Sequence, residues 1–186
     1  MPGRLTALLI FSCALALFGQ GQLKPATYDL GLEQAPIRGR CVGVTDGDTI
    51  KVLTAAKQQI RVRIAFVDAP EKGQAFGQRA KAAMSELVFD KDVELLPHSI
   101  DRYGRLVARV IVEDQDAGLE LLKQGLCWVY DEYIGRARID IEAGYRAAQA
   151  AAQSDKLGLW QDPDPVPPWE WRKGEKEHSR MALDAL

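Results

Sequence analysis

At 186 residues, 47% of them apolar, the chain has material for one hydrophobic core with some terminal excess. Its formal net charge of −2 argues against a protein that holds long nucleic acid by overall charge alone, which would be basic. Residues 161–186 carry six acids against four bases, so the rest of the chain balances and any attraction for a polyanion must come from local clusters of Arg and Lys.

In chain order, Arg4 precedes an uncharged apolar stretch from Leu5 to Phe18, short for a bilayer span of about 20 residues but suited to a signal-peptide core. Residues 1–22 are therefore expected to be a leader and the protein to be exported, periplasmic or secreted; lipidation at Cys13 and an uncleaved N-terminal anchor are the other readings of the same stretch. Residues 23–38, with Pro25 and Pro36 and no sustained period, read as an irregular lead-in. From Gly39 the pattern turns to strands, Cys41 to Val44, Ile50 to Leu53 and Gln59 to Val67, rich in β-branched residues and separated by turn signals. Within Ile60-Arg61-Val62-Arg63-Ile64 the apolar side chains share one face, and both arginines point away from the core.

Helical spacing of Ala80, Ala83, Met84, Leu87 and Val88 predicts a helix from Phe76 to Phe89. Asp92 to Pro97 and Leu106 to Val112 read as strands joined by the turn Asp101-Arg102-Tyr103-Gly104. A second helix is expected over Ala117 to Gln124, stopped by Gly125, then a short strand from Leu126 to Tyr130 and an alanine-rich helix over residues 139–155. Five main strands and three helices in this order predict an α+β, mainly β fold, a five-stranded Greek-key barrel of the OB type with flanking helices, over residues 39–160. Residues 161–186 open on the proline run Asp162 to Pro168 and read as an extended, polar, loosely ordered tail, with Trp169 and Trp171 able to dock on the barrel. Cys41 and Cys127 are an even pair in an exported protein; a disulfide and two separate buried thiols are both compatible with their positions.

The chemistry-bearing residues lie where these strands end. Asp46-Gly47-Asp48 by itself reads as an ordinary turn, and Asp68-Ala69-Pro70-Glu71 as a strand closure. Their joint placement gives more: acids at the ends of neighbouring strands, an arginine face between them, and Arg105 just past the hairpin turn. Carboxylates suit a hard cation, and guanidinium forks match phosphate oxygens two at a time.

The series DGDTIKV, IRVRIAFVDAPE, DRYGRLVARV, LLKQGLCWVY and KLGLW resembles the staphylococcal nuclease (thermonuclease) family from about Arg40 to Trp160, and PVPPWEWR resembles the tail of its exported bacterial members. The resemblance implies an OB barrel and a Ca²⁺ ion held by Asp48, Asp68 and the backbone carbonyl of Ala69, with Asp46 orienting that set. It implies that Arg63 and Arg105 bind phosphate and that Glu71 acts on the attacking water, as general base or by orienting it. The implied reaction is hydrolysis of DNA and RNA at the P–O5′ bond, leaving a 3′-phosphate and a 5′-hydroxyl, by a monomer acting on single-stranded or locally unpaired substrate. Tyr130 and Tyr133 align loosely with base-stacking tyrosines; a core or rim aromatic is the alternative for each. The competing function is a non-catalytic nucleic-acid-binding OB module, against which stands the presence of all five of Asp48, Arg63, Asp68, Glu71 and Arg105.

Overall fold

Strict alternation along the strands builds a barrel, seen in a computed structural model that describes residues 28–29 and 35–175. The predicted leader lies outside the described residues. The elements are β1 (Tyr28–Asp29), β2 (Ile37–Val44), β3 (Thr49–Thr54), β4 (Gln59–Ile64), β5 (Val67–Asp68), α1 (Gly77–Val88), β6 (Asp92–Ile100), β7 (Leu106–Val112), β8 (Gln115–Asp116), α2 (Ala117–Lys123), β9 (Trp128–Val129), α3 (Asp131–Ile134) and α4 (Ile139–Ser154). A 3₁₀ turn (Gly158–Gln161) follows, and residues 168–175 form a last helix, α5. Strands β6, β2, β3 and β4 pair antiparallel in that order; β7 then pairs parallel with β4 and antiparallel with β6, which closes the barrel. This is the expected five-stranded OB arrangement. Closure leaves no open edge among the five main strands.

Along β7 the side chains of Leu106, Ala108, Val110 and Val112 are buried in strict alternation, and they meet Val62, Ile64 and Leu95 inside the barrel. Helix α1 turns Ala80, Met84 and Val88, four residues apart, onto this core. Asp116 caps α2 by accepting the amide protons of Gly118 and Leu119 at 3.0 and 3.2 Å. The same carboxylate takes the Tyr145 hydroxyl of α4 at 2.8 Å and Arg109 of β7 at 2.7 Å, tying both helices to the barrel wall.

Three expectations change. The run Gln59 to Val67 is not one strand: Phe66 adopts a left-handed φ of 66°, so β5 leaves the barrel and pairs with β9. Apolar continuity could not reveal this break, because Ile64, Ala65, Phe66 and Val67 are buried without interruption across it. Pairing also starts earlier than predicted, within the stretch read as an irregular lead-in: Tyr28–Asp29 pairs with β6, and β2 begins at Ile37. The tail after Trp160 is not loose over its described part, since α5 packs Trp169 against Trp128 and Tyr130, with ring centroids 6.5 and 6.1 Å apart. Cys41 and Cys127 are separate, fully buried thiols, and burial raises the pKa of both. No helix among the described residues is long and apolar enough to cross a membrane.

Candidate active site

The turn between β2 and β3 is folded by its own side chain, Asp46 Oδ1 accepting the Asp48 amide at 3.1 Å. A glycine is required at its centre. A Cβ on Gly47 would lie 2.7 Å from the Ala69 Cβ and 2.8 Å from the Ala80 Cβ, so only a bare backbone lets the turn sit against both the β5 exit loop and α1. Asp48 thereby becomes a buried carboxylate: Oδ2 accepts the Ala69 amide at 2.8 Å and Oδ1 accepts the Thr49 hydroxyl at 3.1 Å.

From β4, Arg63 reaches the carbonyls of Ile64 and Val67 with Nη1, at 2.8 and 2.7 Å. Its Nη2 meets Asp68 Oδ1 at 2.9 Å and Asp48 Oδ2 at 3.2 Å. Two carboxylates separated by twenty positions in the chain thus converge on a single nitrogen. Arg61, on the same strand face, is exposed as expected, whereas Arg63 is enclosed with its side chain 13% accessible. Burial opposes the Arg63 charge, but the fields of Asp48, Asp68 and Asp46 outweigh it and keep the guanidinium protonated.

Arg105 is set by the β6–β7 turn. Asp101 accepts the amides of Tyr103 and Arg105, each at 2.9 Å, and binds Arg105 Nε at 2.7 Å, while Gly104 takes the positive φ of 73° that closes the turn. Arg105 Nη1 then approaches the Thr49 hydroxyl at 3.2 Å, beside Asp48. Although partial burial alone would raise it, these hydrogen bonds hold the Asp101 carboxyl below its ordinary pKa.

All six residues singled out from the sequence, Asp48, Arg63, Asp68, Ala69, Glu71 and Arg105, line one cleft of about 1010 Å³. Tyr130 and Tyr133 stand on its rim with their rings 5.0 Å apart; the Tyr130 hydroxyl donates to Glu132 at 2.7 Å and its other face is stacked by Trp169. Tyr133 carries Arg136 above its ring at 5.3 Å. Tyr103, not singled out as a stacking residue, is 62% exposed with Arg102 and Arg105 over its ring. Arg172 was also missed. Projecting from α5, it binds Glu71 Oε1 at 2.8 Å and Asp68 Oδ2 at 2.7 Å. The signal was present in Trp169 and Arg172, three residues apart, which on a helix put an aromatic anchor and a guanidinium on one side.

Whether this site suits a divalent cation can be judged from its donors and its charge. Asp48, Asp68 and the neighbouring Ala69 peptide offer only hard oxygen ligands, the set Ca²⁺ prefers. Burial, then the adjacent Asp48 charge, push Asp46 up to about 6, and burial raises Asp68 despite Arg172 and Arg63; a cation beside these desolvated carboxylates would favour their charged forms. Among the described residues no three His, Cys, Asp or Glu side chains form one metal-holding group.

Comparison with known proteins points to one family. The staphylococcal nuclease homologue family matches residues 61–162, a span that holds Arg63, Asp68, Glu71 and Arg105. The chain is 43% identical over 145 residues to an uncharacterized endonuclease of Haemophilus influenzae, covering 78% of this chain and 77% of that protein. It is 38% identical over 151 residues to micrococcal nuclease of Shigella flexneri, covering 76% and 84%, and 39% identical over 139 residues to an uncharacterized endonuclease of Escherichia coli O157:H7, covering 74% and 86%.

Proposed function

The chain belongs to the staphylococcal nuclease homologue family, and on that premise we propose that it is a Ca²⁺-dependent phosphodiesterase that hydrolyses DNA and RNA at the P–O5′ bond. The observation that carries this reading is the meeting of Asp48 and Asp68 on Arg63 Nη2, in the cleft that also holds Glu71 and Arg105. Asp48, Asp68 and the Ala69 carbonyl would hold Ca²⁺, which when bound supplies a Lewis acid for the phosphoryl oxygens. Glu71 accepts a proton as water oxygen attacks phosphorus; the P–O5′ bond breaks, the 5′ oxygen leaves with a proton taken from solvent water, and Glu71 returns its own to solvent, giving a 5′-hydroxyl and a 3′-phosphate. Arg63 and Arg105 supply fixed positive charge beside oxygens whose own charge grows in the transition state.

The test is cleavage of single-stranded DNA and of RNA by the purified protein with Ca²⁺ or with chelator, alongside Arg63→Ala and Glu71→Gln. Cleavage only with Ca²⁺, strongly reduced in both variants, is expected. Undiminished cleavage in chelator, or wild-type rates in both variants, would overturn the mechanism. Binding without cleavage under any divalent ion would instead favour a non-catalytic OB module.

A further inference from the structure

We propose that Arg172 is a positioning residue for Glu71 and that the C-terminal segment completes the active site; the inference rests on the nuclease reading above. Glu71 sits on an exit loop with its side chain 37% accessible, so nothing in its own burial fixes the carboxylate. Two contacts from the tail do. Arg172 Nη1 binds Glu71 Oε1 at 2.8 Å while its Nη2 binds Asp68 Oδ2 at 2.7 Å, so one rigid guanidinium spans both acids. At the backbone, the buried Gln74 side chain accepts the Glu71 amide at 3.1 Å and donates to the Val166 carbonyl at 2.5 Å.

The anchor of this device is aromatic. Trp169 lies one helical turn before Arg172, stacked on Tyr130 and edge-on to Trp128, and Trp128 pairs in register with Asp68 across the β5–β9 ribbon. The tail therefore holds the same ribbon that carries Asp68, and Arg172 reports that position to Glu71. An ordinary surface ion pair would contribute little. Here one partner, Asp68, is only 1% accessible, and the fork fixes direction as well as distance. For a base that must lie within about 3 Å of its water, a misplacement of about 1 Å lowers the rate about 100-fold.

The test uses full-length Arg172→Ala, Arg172→Lys, Glu71→Gln and the Arg172→Ala/Glu71→Gln double variant, with thermal melting of each. Turnover is measured on single-stranded DNA at saturating Ca²⁺, and Ca²⁺ affinity without substrate by calorimetry. For Arg172→Ala, kcat should fall about 10–100-fold with KM changed less than about threefold, and Lys should restore only part of it because it lacks the fork. Added to Glu71→Gln, Arg172→Ala should lower kcat no further. With a cation removed from beside Asp68, Ca²⁺ binding should tighten. Wild-type kcat in Arg172→Ala, a raised kcat, a full additional loss in the double variant, or weakened Ca²⁺ binding would each overturn the inference; a raised kcat would make the tail an inhibitory strap. If the wild type itself cleaves nothing, the nuclease reading falls and this one with it, whereas a cleaving wild type matched by Arg172→Ala sinks this inference alone.

Discussion

Arg63 satisfies four acceptors at once, two carbonyls and two carboxylates. Lysine keeps the charge but presents a single ammonium, so Arg63→Lys is expected to lose about 100-fold in kcat and to melt at a lower temperature, read by steady-state cleavage and calorimetry. Asp101 gives a pH-dependent counterpart on the opposite wall. Its folded pKa is depressed, so its stabilising contribution is fully present above the unfolded value of about 3.9 and disappears as pH falls through the folded one. Asp101→Asn should therefore destabilise the protein by about 1 kcal/mol at pH 7, and in urea unfolding the difference from wild type should shrink progressively as pH falls below about 3.9. These two arginines and their acids were legible in the sequence because charged residues at strand ends have few structural reasons to cluster. Their enclosure was not, since alternation places Arg61 and Arg63 on one face while only Arg63 is roofed by the β5 exit.

Elements position this chemistry through close approach. The Asp46–Asp48 turn, the β5 exit and α1 meet at Gly47, where a methyl group would press on Ala69 and Ala80 together. Gly47→Ala is expected to cost about 1–3 kcal/mol by overpacking and to weaken Ca²⁺ binding by moving Asp48, checked by denaturant unfolding and by calorimetry. Asp116 does comparable service away from the cleft, capping α2 while binding Tyr145 and Arg109. Replacing it with Ala should destabilise by about 3 kcal/mol and leave Ca²⁺ affinity unchanged. Strand and helix periods announced the barrel strands and helices α1, α2 and α4. They gave no warning of the break at Phe66 or of α5, because a left-handed residue leaves no periodic trace and a proline run masks the helix that follows it.

For the molecule as a whole, a near-neutral charge implies that substrate is held by a few guanidinium contacts. Affinity for single-stranded DNA should fall with salt along a shallow log–log slope of about −0.7 for each phosphate neutralised, two or three in total, measured by anisotropy with the Glu71→Gln variant. A slope several times steeper would place binding on an extended surface instead. Sequence by itself determined the barrel and brought forward Asp48, Arg63, Asp68, Glu71 and Arg105, though not Arg172, because alternation and turn chemistry act over a few residues. Only the tertiary structure decided that Asp48 and Asp68 share one nitrogen of Arg63 and that Arg172 reaches Glu71 from 101 positions away. Those contacts depend on barrel closure and on tryptophans packing across it, and no local pattern in the chain encodes a distance between such remote segments.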